Sequence, residues 1–267
     1  SLILPSKPDG SGVDTCVATI SAGAPLKVVV VGLLDDVSTE SASRLATTTY
    51  AQVIEKISLT DRRQPAARLE TILRAHPDLI IVAGGTEGGA TQSILNLLES
   101  IGLACYILPE GERPELLYAG NGAMAEEVGK TIGSLARLSI APNVRPSLEV
   151  EQIAPAQKQL SQLYRAVRSH TLPGAQDLDG WAGGHMLPTA YAFGRMIRFL
   201  SKVYDPLKGV FGLDMGASAL TLAAAFSGDL TLGVYSDLGL GYRVNNLLKE
   251  SRLEDISRWM PVGLPEN

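Results

Sequence analysis

The stretch LKVVVVGLLDDVSTESASRLATTTYAQVIEKISL, residues 26–59, decides the fold. It opens on a continuous apolar run, Leu26–Leu34, of the kind found in strands covered on both faces. STESASRLATTTY follows, with Ser38 or Thr39 placed to cap a helix and Glu40 in its first turn, where an acid suits the helix dipole. QVIEKISL (52–59) is strand-like again. Strand, helix and strand in so short a span make a βαβ unit, whose two strands must run parallel.

The same alternation continues outward. A helix from about Gln64 to Ala75 leads to the strand DLIIVA (78–83), which ends in GGTEGG. A helix over 90–101, strands LACYILP (103–109) and ELLYAGN (115–121), and a helix over 123–137 complete the series. This spacing predicts a Rossmann-like, doubly wound α/β domain with a parallel sheet over 22–140, after a lead of residues 1–21. The pattern changes after APNVRPS (141–147), so residues 141–267 form a second segment. Pro155–His170 and Pro188–Val203 read as helices, the second carrying Ala190, Phe193, Met196, Ile197 and Leu200 on one face. Between them lies a Gly-rich loop, 171–185, with Asp177, Asp179, Trp181 and His185. Those side chains suit either a pocket or partner contact, or an ordinary mobile surface.

Composition narrows the function classes. Hydrophobic residues make up 45% and charged residues 19%, as in ordinary globular chains. A net charge of −5 without a basic stripe argues against non-specific nucleic-acid or anionic-membrane binding. No apolar run reaches the roughly 20 residues that span a bilayer, and SLILPSKPDGSG is not built like a signal peptide. Cys16 and Cys105 lie in apolar, strand-like settings and read as buried thiols in a reducing cytoplasm. His76, His170 and His185 are too scattered for a zinc motif, and His76 sits at a helix end before Pro77. The Pro/Gly/Ser-rich start without a methionine suggests a piece of a longer protein.

Two stretches carry chemistry. GVFGLDMGASALTLAAAFSGDLTLGVYSDLGLG (209–241) reaches Asp214-Met215-Gly216-Ala217-Ser218, then returns through two apolar runs around Ser227-Gly228-Asp229. Small side chains at such a bend let an anion approach backbone N–H groups closely. Asp214 would sit beside the phosphates and hold Mg²⁺ through water, with the hydroxyls of Ser218 and Thr221 nearby. The same residues also suit a plain hairpin whose bend needs small side chains. The second stretch is AGGTEGGA (83–90), a strand-to-helix turn. A helix N-terminus behind glycines can hold an anion. Here the spacing is not G-x-G-x-x-G, and Glu87 would repel a phosphate. The better reading is a crevice at the carboxyl edge of the sheet, lined by Gly84, Gly85, Thr86 and Asn121. No Ser/His/Asp or Cys/His arrangement is legible.

Taken in order, LKVVVVGLLDDVSTESA, HPDLIIVAGGTEGG, YAGN, NVRPSL, LPTAYA, GLDMGASALTLAAAF and SDLGLG resemble the glutamate mutase MutL family, which is distinct from the mismatch-repair protein of that name. The resemblance runs from about Ala22 to Gly241. It implies an ATPase-related protein of the actin/Hsp70/sugar-kinase superfamily that reactivates or chaperones a cobalamin-dependent glutamate mutase. It also implies ATP or ADP with Mg²⁺ as cofactor, and makes residues 141–267 part of an actin-like, ribonuclease H-like lobe. Asp214, Gly216, Ala217, Ser218 and Thr221 would then be the second phosphate loop. The family's usual continuation, Gly-Ala-Thr-Thr-Asp, is represented here by Ala217–Thr221, and an apolar Leu220 cannot replace a hydroxyl around Mg²⁺ and water. Ala190 stands in LPTAYA where proline is common, and no first phosphate loop precedes residue 26. The implied nucleotide site is therefore half of a two-lobed one, with at most weak hydrolysis. No Asp-x-His-x-x-Gly is present, so cobalamin binding is not expected.

Overall fold

The run at 26–32 is an interior strand of a five-stranded parallel sheet, paired on both sides. The structure, a computed structural model, describes residues 4–205, 207–241 and 243–258. In chain order the first part comprises β1 (Thr19–Ile20), β2 (Leu26–Gly32), α1 (Glu40–Ala46), β3 (Ala51–Ser58), α2 (Pro65–Ala75), β4 (Leu79–Val82), α3 (Thr91–Ile107), β5 (Glu115–Tyr118), α4 (Ala125–Ile132) and β6 (Leu138–Ile140). The sheet order is β3-β2-β4-β5-β6. Every neighbouring pair is parallel.

Alternation along β2 explains its unbroken hydrophobicity. Val28 and Val30 belong to a core shared with α1, whereas Val29 and Val31 belong to one shared with α2, α3 and α4. Burying each valine contributes roughly 1.5–3 kcal/mol, so neither face tolerates a polar residue. The layer on the α1 face is completed from beyond residue 140. Helix α5 (Ile153–Thr171) lays Ala156, Leu160, Leu163 and Tyr164 onto the sheet beside α1.

Several local expectations change. LACYILP is not a strand but the end of α3, because Ile94, Leu97, Leu98, Ile101, Ala104 and Cys105 continue one buried stripe at helical spacing. Cys105 is therefore in the core, but on a helix, and burial pushes its thiol pKa up. The first strand stops at Gly32, and a wide helical turn at Asp35–Thr39 precedes α1. Neither expected cap residue bonds to a helical N–H of α1. Instead Ser38 Oγ accepts from the N–H groups of Leu33 (2.7 Å) and Leu34 (3.0 Å). The 171–185 loop contains a short helix, α6 (Ala175–Trp181).

The second part adds β7 (Leu187–Pro188), α7 (Thr189–Val203), β8 (Val210–Met215), β9 (Leu220–Phe226), β10 (Asp229–Tyr235), α8 (Val244–Glu250) and α9 (Leu253–Ser257). Strands β8, β9 and β10 form an antiparallel sheet in the order β10-β9-β8. Ala190, Gly194, Ile197 and Ser201 are the buried face of α7, and Ile197 and the partly buried Phe193 pack on Ala223, Ala225 and Leu232. Met196 and Leu200, expected on that face, are exposed instead. The two parts are joined. β1 pairs in parallel with β7, Val234 N–H donates to Thr47 O (2.7 Å), and Ser236 Oγ donates to Ala51 O (3.2 Å). Among the described residues no helix is long and apolar enough to cross a membrane.

Candidate functional site

The bend between β8 and β9 opens onto a cavity of about 250 Å³. Asp214, Gly216, Ala217, Ser218 and Thr221 all line it, so these five expected residues come together. Asp214 and Thr221 are directly paired across β8 and β9, which puts their side chains on the same face of the sheet. The opposite wall comes from elsewhere in the chain: Ile20 and Ser21 after β1, Tyr50, Tyr164 of α5, and Thr189 at the start of α7.

Backbone bonds fix this bend. Gly216 N–H donates to Ala219 O (2.9 Å), which closes the turn. Leu240 N–H donates to Gly216 O (3.0 Å) and Gly241 N–H to Ala217 O (2.9 Å), so SDLGLG is the backing of the loop. Among the described residues the N–H groups of Ala217 and Ser218 take no hydrogen bond. Two side-chain features add to them. Thr221 is buried beside the exposed Asp214 carboxylate, and the fully buried Tyr164 hydroxyl has no hydrogen-bond partner of good geometry. The Arg168 guanidinium lies 5.1 Å from the Tyr164 ring centroid; burial raises the phenol pKa and Arg168 partly offsets that.

This donor set fits an anion with its metal. Mg²⁺ keeps most of its waters and needs only one or two carboxylates plus phosphate oxygens. Asp214 with Thr221 offers one carboxylate and one hydroxyl. Among the described residues no cluster of three or more His, Cys, Asp or Glu exists to form an all-protein metal site.

A second cavity, about 370 Å³, lies at the carboxyl ends of β2 and β4. Chain order reverses between these strands, and open parallel sheets place ligands there. Gly84, Gly85 and Thr86 line it. Positive φ at Gly84 (140°) and Gly85 (72°) lets the backbone turn away from β4 toward α3. Asn121 lies behind this turn rather than in the cavity wall. Fully buried, it accepts from Gly88 N–H (3.2 Å) and Ala123 N–H (3.1 Å) and donates to Gly89 O (2.7 Å). Glu87 is occupied too: its carboxylate accepts from Gly122 N–H (3.2 Å) and Asn143 Nδ2 (2.8 Å).

The residues of the 171–185 stretch do not converge. Asp179 accepts from Met186 N–H (3.1 Å) and faces Arg165 Nε at 3.9 Å, a structural role, while Asp177, Trp181 and His185 are exposed and line neither cavity. His76 ends α2 in the left-handed conformation.

Residues 3–266 match the family described as MutL protein. The chain belongs to the MutL family. A curated relative, Protein MutL of Clostridium tetanomorphum, is 24% identical over 264 residues, covering 91% of this chain and 54% of the relative. This MutL-family chain thus spans about half the length of that protein. Among solved structures, the signal receiver domain of NarL from Mycobacterium tuberculosis is 15% identical with a TM-score of 0.32, covering 52% of this chain and 94% of that one.

Sequence reasoning missed several residues of this MutL-family chain. Gly239 and Gly241 are needed because a Cβ there would stand 2.6 Å and 2.8 Å from Ala217 O. Their spacing in SDLGLG was the available signal. Nothing local announced Ser21, Tyr50, Tyr164 or Thr189, which reach the first cavity only through tertiary packing. Arg145, on the wall of the second cavity, was hidden in the connecting segment.

Proposed function

We propose that this MutL-family chain is the nucleotide-responsive part of a cytoplasmic partner of a cobalamin-dependent glutamate mutase, one that exchanges damaged cofactor or helps assemble the enzyme. In this reading β8–β10 and α7 belong to an actin-like lobe, and Asp214–Ser218 is a phosphate loop contributing half of a two-lobed ATP or ADP site. The observation that carries it is the convergence of Asp214, Thr221 and the unengaged N–H groups of Ala217 and Ser218 on one cavity. Family membership supports the mutase association.

Ala217 and Ser218 would donate to phosphate oxygens, as small-residue bends do, and Tyr164 would supply a further donor. Asp214 would orient the water shell of Mg²⁺, with Thr221 beside it. When bound, the ion would neutralise phosphate charge. A second reading, a non-catalytic binding or scaffold module, is favoured by the Gly216 N–H being taken up inside the turn.

Calorimetric titration of MgADP into the full natural polypeptide separates the two. Asp214→Asn and Thr221→Val should each weaken binding about tenfold or more, a cost of roughly 1.4 kcal/mol. Leu220→Thr should change nothing, because Leu220 does not line the cavity. Undiminished affinity in Asp214→Asn, or no heat from any form, would remove the nucleotide reading and leave the scaffold.

A further inference from the structure

We propose that the cavity at the carboxyl ends of β2 and β4 is a binding site for a small carboxylate with an apolar body, such as a branched or short-chain acyl acid. It shares no lining residue with the cavity beside Asp214, so the inference stands apart from the nucleotide reading.

The body of the ligand is read from the walls. Leu33, Val37 and Leu59 form them, with Leu34 and Leu148 at the mouth. Those two leucines are 44% and 61% exposed, an apolar lip that nothing in the fold covers. A volume of about 370 Å³ lies at the small end of the range for ligand sites, enough for a compact metabolite and too little for a dinucleotide.

The anionic end is read from three further observations. Thr86 and Ser93 are half-buried on the wall, and their hydroxyls take no hydrogen bond among the described residues. Helix α3 begins at this wall after Ala90, which has no side-chain oxygen, so its first-turn N–H groups have no side-chain cap and present the positive end of a 17-residue helix. Arg145 lies on the same wall and is held rigidly: Nε donates to Ser41 Oγ (3.1 Å), Nη1 to Leu148 O (3.3 Å) and Nη2 to Glu151 (3.2 Å).

Three of the five guanidinium N–H groups are thereby engaged, and the rest are available to a carboxylate in a pre-set orientation. Glu151 does not cancel this charge, because it is shared with Arg44 at 2.8 Å. Burial alone would raise the Glu151 pKa. The hydrogen bonds from Ser41 and Arg44 and the two guanidinium charges outweigh that and hold it below the ordinary range, so the cluster keeps its ionised form. Glu87, the acid nearest in sequence, is bound to Gly122 and Asn143 and is not part of the wall.

The test is calorimetric titration of 4-methylpentanoate and its neutral amide, 4-methylpentanamide, into the 267-residue chain. The acid should bind with a Kd below about 1 mM and the amide about tenfold or more weakly. Arg145→Gln should bring the acid to the level of the amide. Glu151 keeps Arg44 and Ser41 in that variant, and an unchanged circular dichroism melt checks the fold. Ser93→Trp, which fills the cavity from a half-buried helical position on its wall, should abolish binding of both probes without disturbing the core. Equal affinity for acid and amide would overturn the anionic end. Binding that survives Ser93→Trp would overturn the location. Failure of 4-methylpentanoate and of every straight-chain acid from butyrate to octanoate would overturn the site.

Discussion

Asn121 offers the sharpest check on the strand-to-helix turn, because its side chain and its backbone do separable work. The backbone bonds, N–H to Gly84 O (3.1 Å) and C=O from Met124 N–H (3.0 Å) and Tyr118 OH (3.0 Å), survive any substitution short of proline. The side chain alone holds Gly88, Gly89 and Ala123 through three hydrogen bonds. In Asn121→Ala all three are lost. Their partners are half-exposed or exposed, so water re-satisfies them in part and the smaller, net value applies, about 0.5–1.5 kcal/mol each. The expected loss is therefore about 1.5–4.5 kcal/mol. Urea unfolding should show a lower midpoint with an unchanged slope, and the thermal midpoint should fall by roughly 3–18 °C in a chain of this size. A loss under about 1 kcal/mol would refute the bracing role.

Three other substitutions test the glycine backing and the start of β5. Gly239→Ala forces a Cβ against Ala217 O and should cost about 1–3 kcal/mol, whereas Gly216→Ala meets only Ala219 O at 3.3 Å and should cost less than about 1 kcal/mol; the reverse order would show that the bend itself, not its backing, sets the geometry. Glu115 has its pKa raised by burial, against the opposing charges of Arg137 and His170. A raised carboxyl lowers stability once it ionises, so the penalty is absent well below the ordinary glutamate range and grows as pH rises through it. Glu115→Gln should melt higher than the parent at neutral pH and converge with it in acid; a lower melt at neutral pH would reverse the sign.

The parallel sheet was legible because strands buried on both faces must be apolar at every position. Val28–Val31 and Leu79–Val82 satisfy that without ambiguity. LACYILP deceived for the complementary reason. A short apolar run looks alike in a strand and in the buried end of a helix, and only its phase with Ile94, Leu97 and Leu98 tells them apart. The face of α7 was misjudged by one position in the same way. Met196 and Leu200 are as apolar as Phe193, yet the helix turns Gly194 and Ser201 inward: a Cβ at Gly194 would stand 3.2 Å from the Leu230 and Leu232 side chains, and Ser201 Oγ accepts from Gly228 N–H (3.2 Å). The sequence carries the bend 214–218 as a motif, but its opposite wall is assembled from Ser21, Tyr50, Tyr164 and Thr189, residues scattered along the chain with no local reason to be read together.

Strand register also changes how the departures from the family pattern are weighed. Leu220 looked damaging because it stands where a hydroxyl is expected. Side chains alternate faces along a strand, so consecutive residues cannot both serve one site. Thr221 is paired with Asp214, and Leu220 with Met215 and Tyr235. The hydroxyl therefore lies on the face of the carboxylate, while the leucine belongs to the opposite face with the exposed Phe211, Leu213 and Tyr235. What matters for the cavity is the pair of residues in phase with it, and here that pair is Asp214 and Thr221. An apolar Leu220 leaves that pair intact and adds instead to the bare outer surface of the antiparallel sheet.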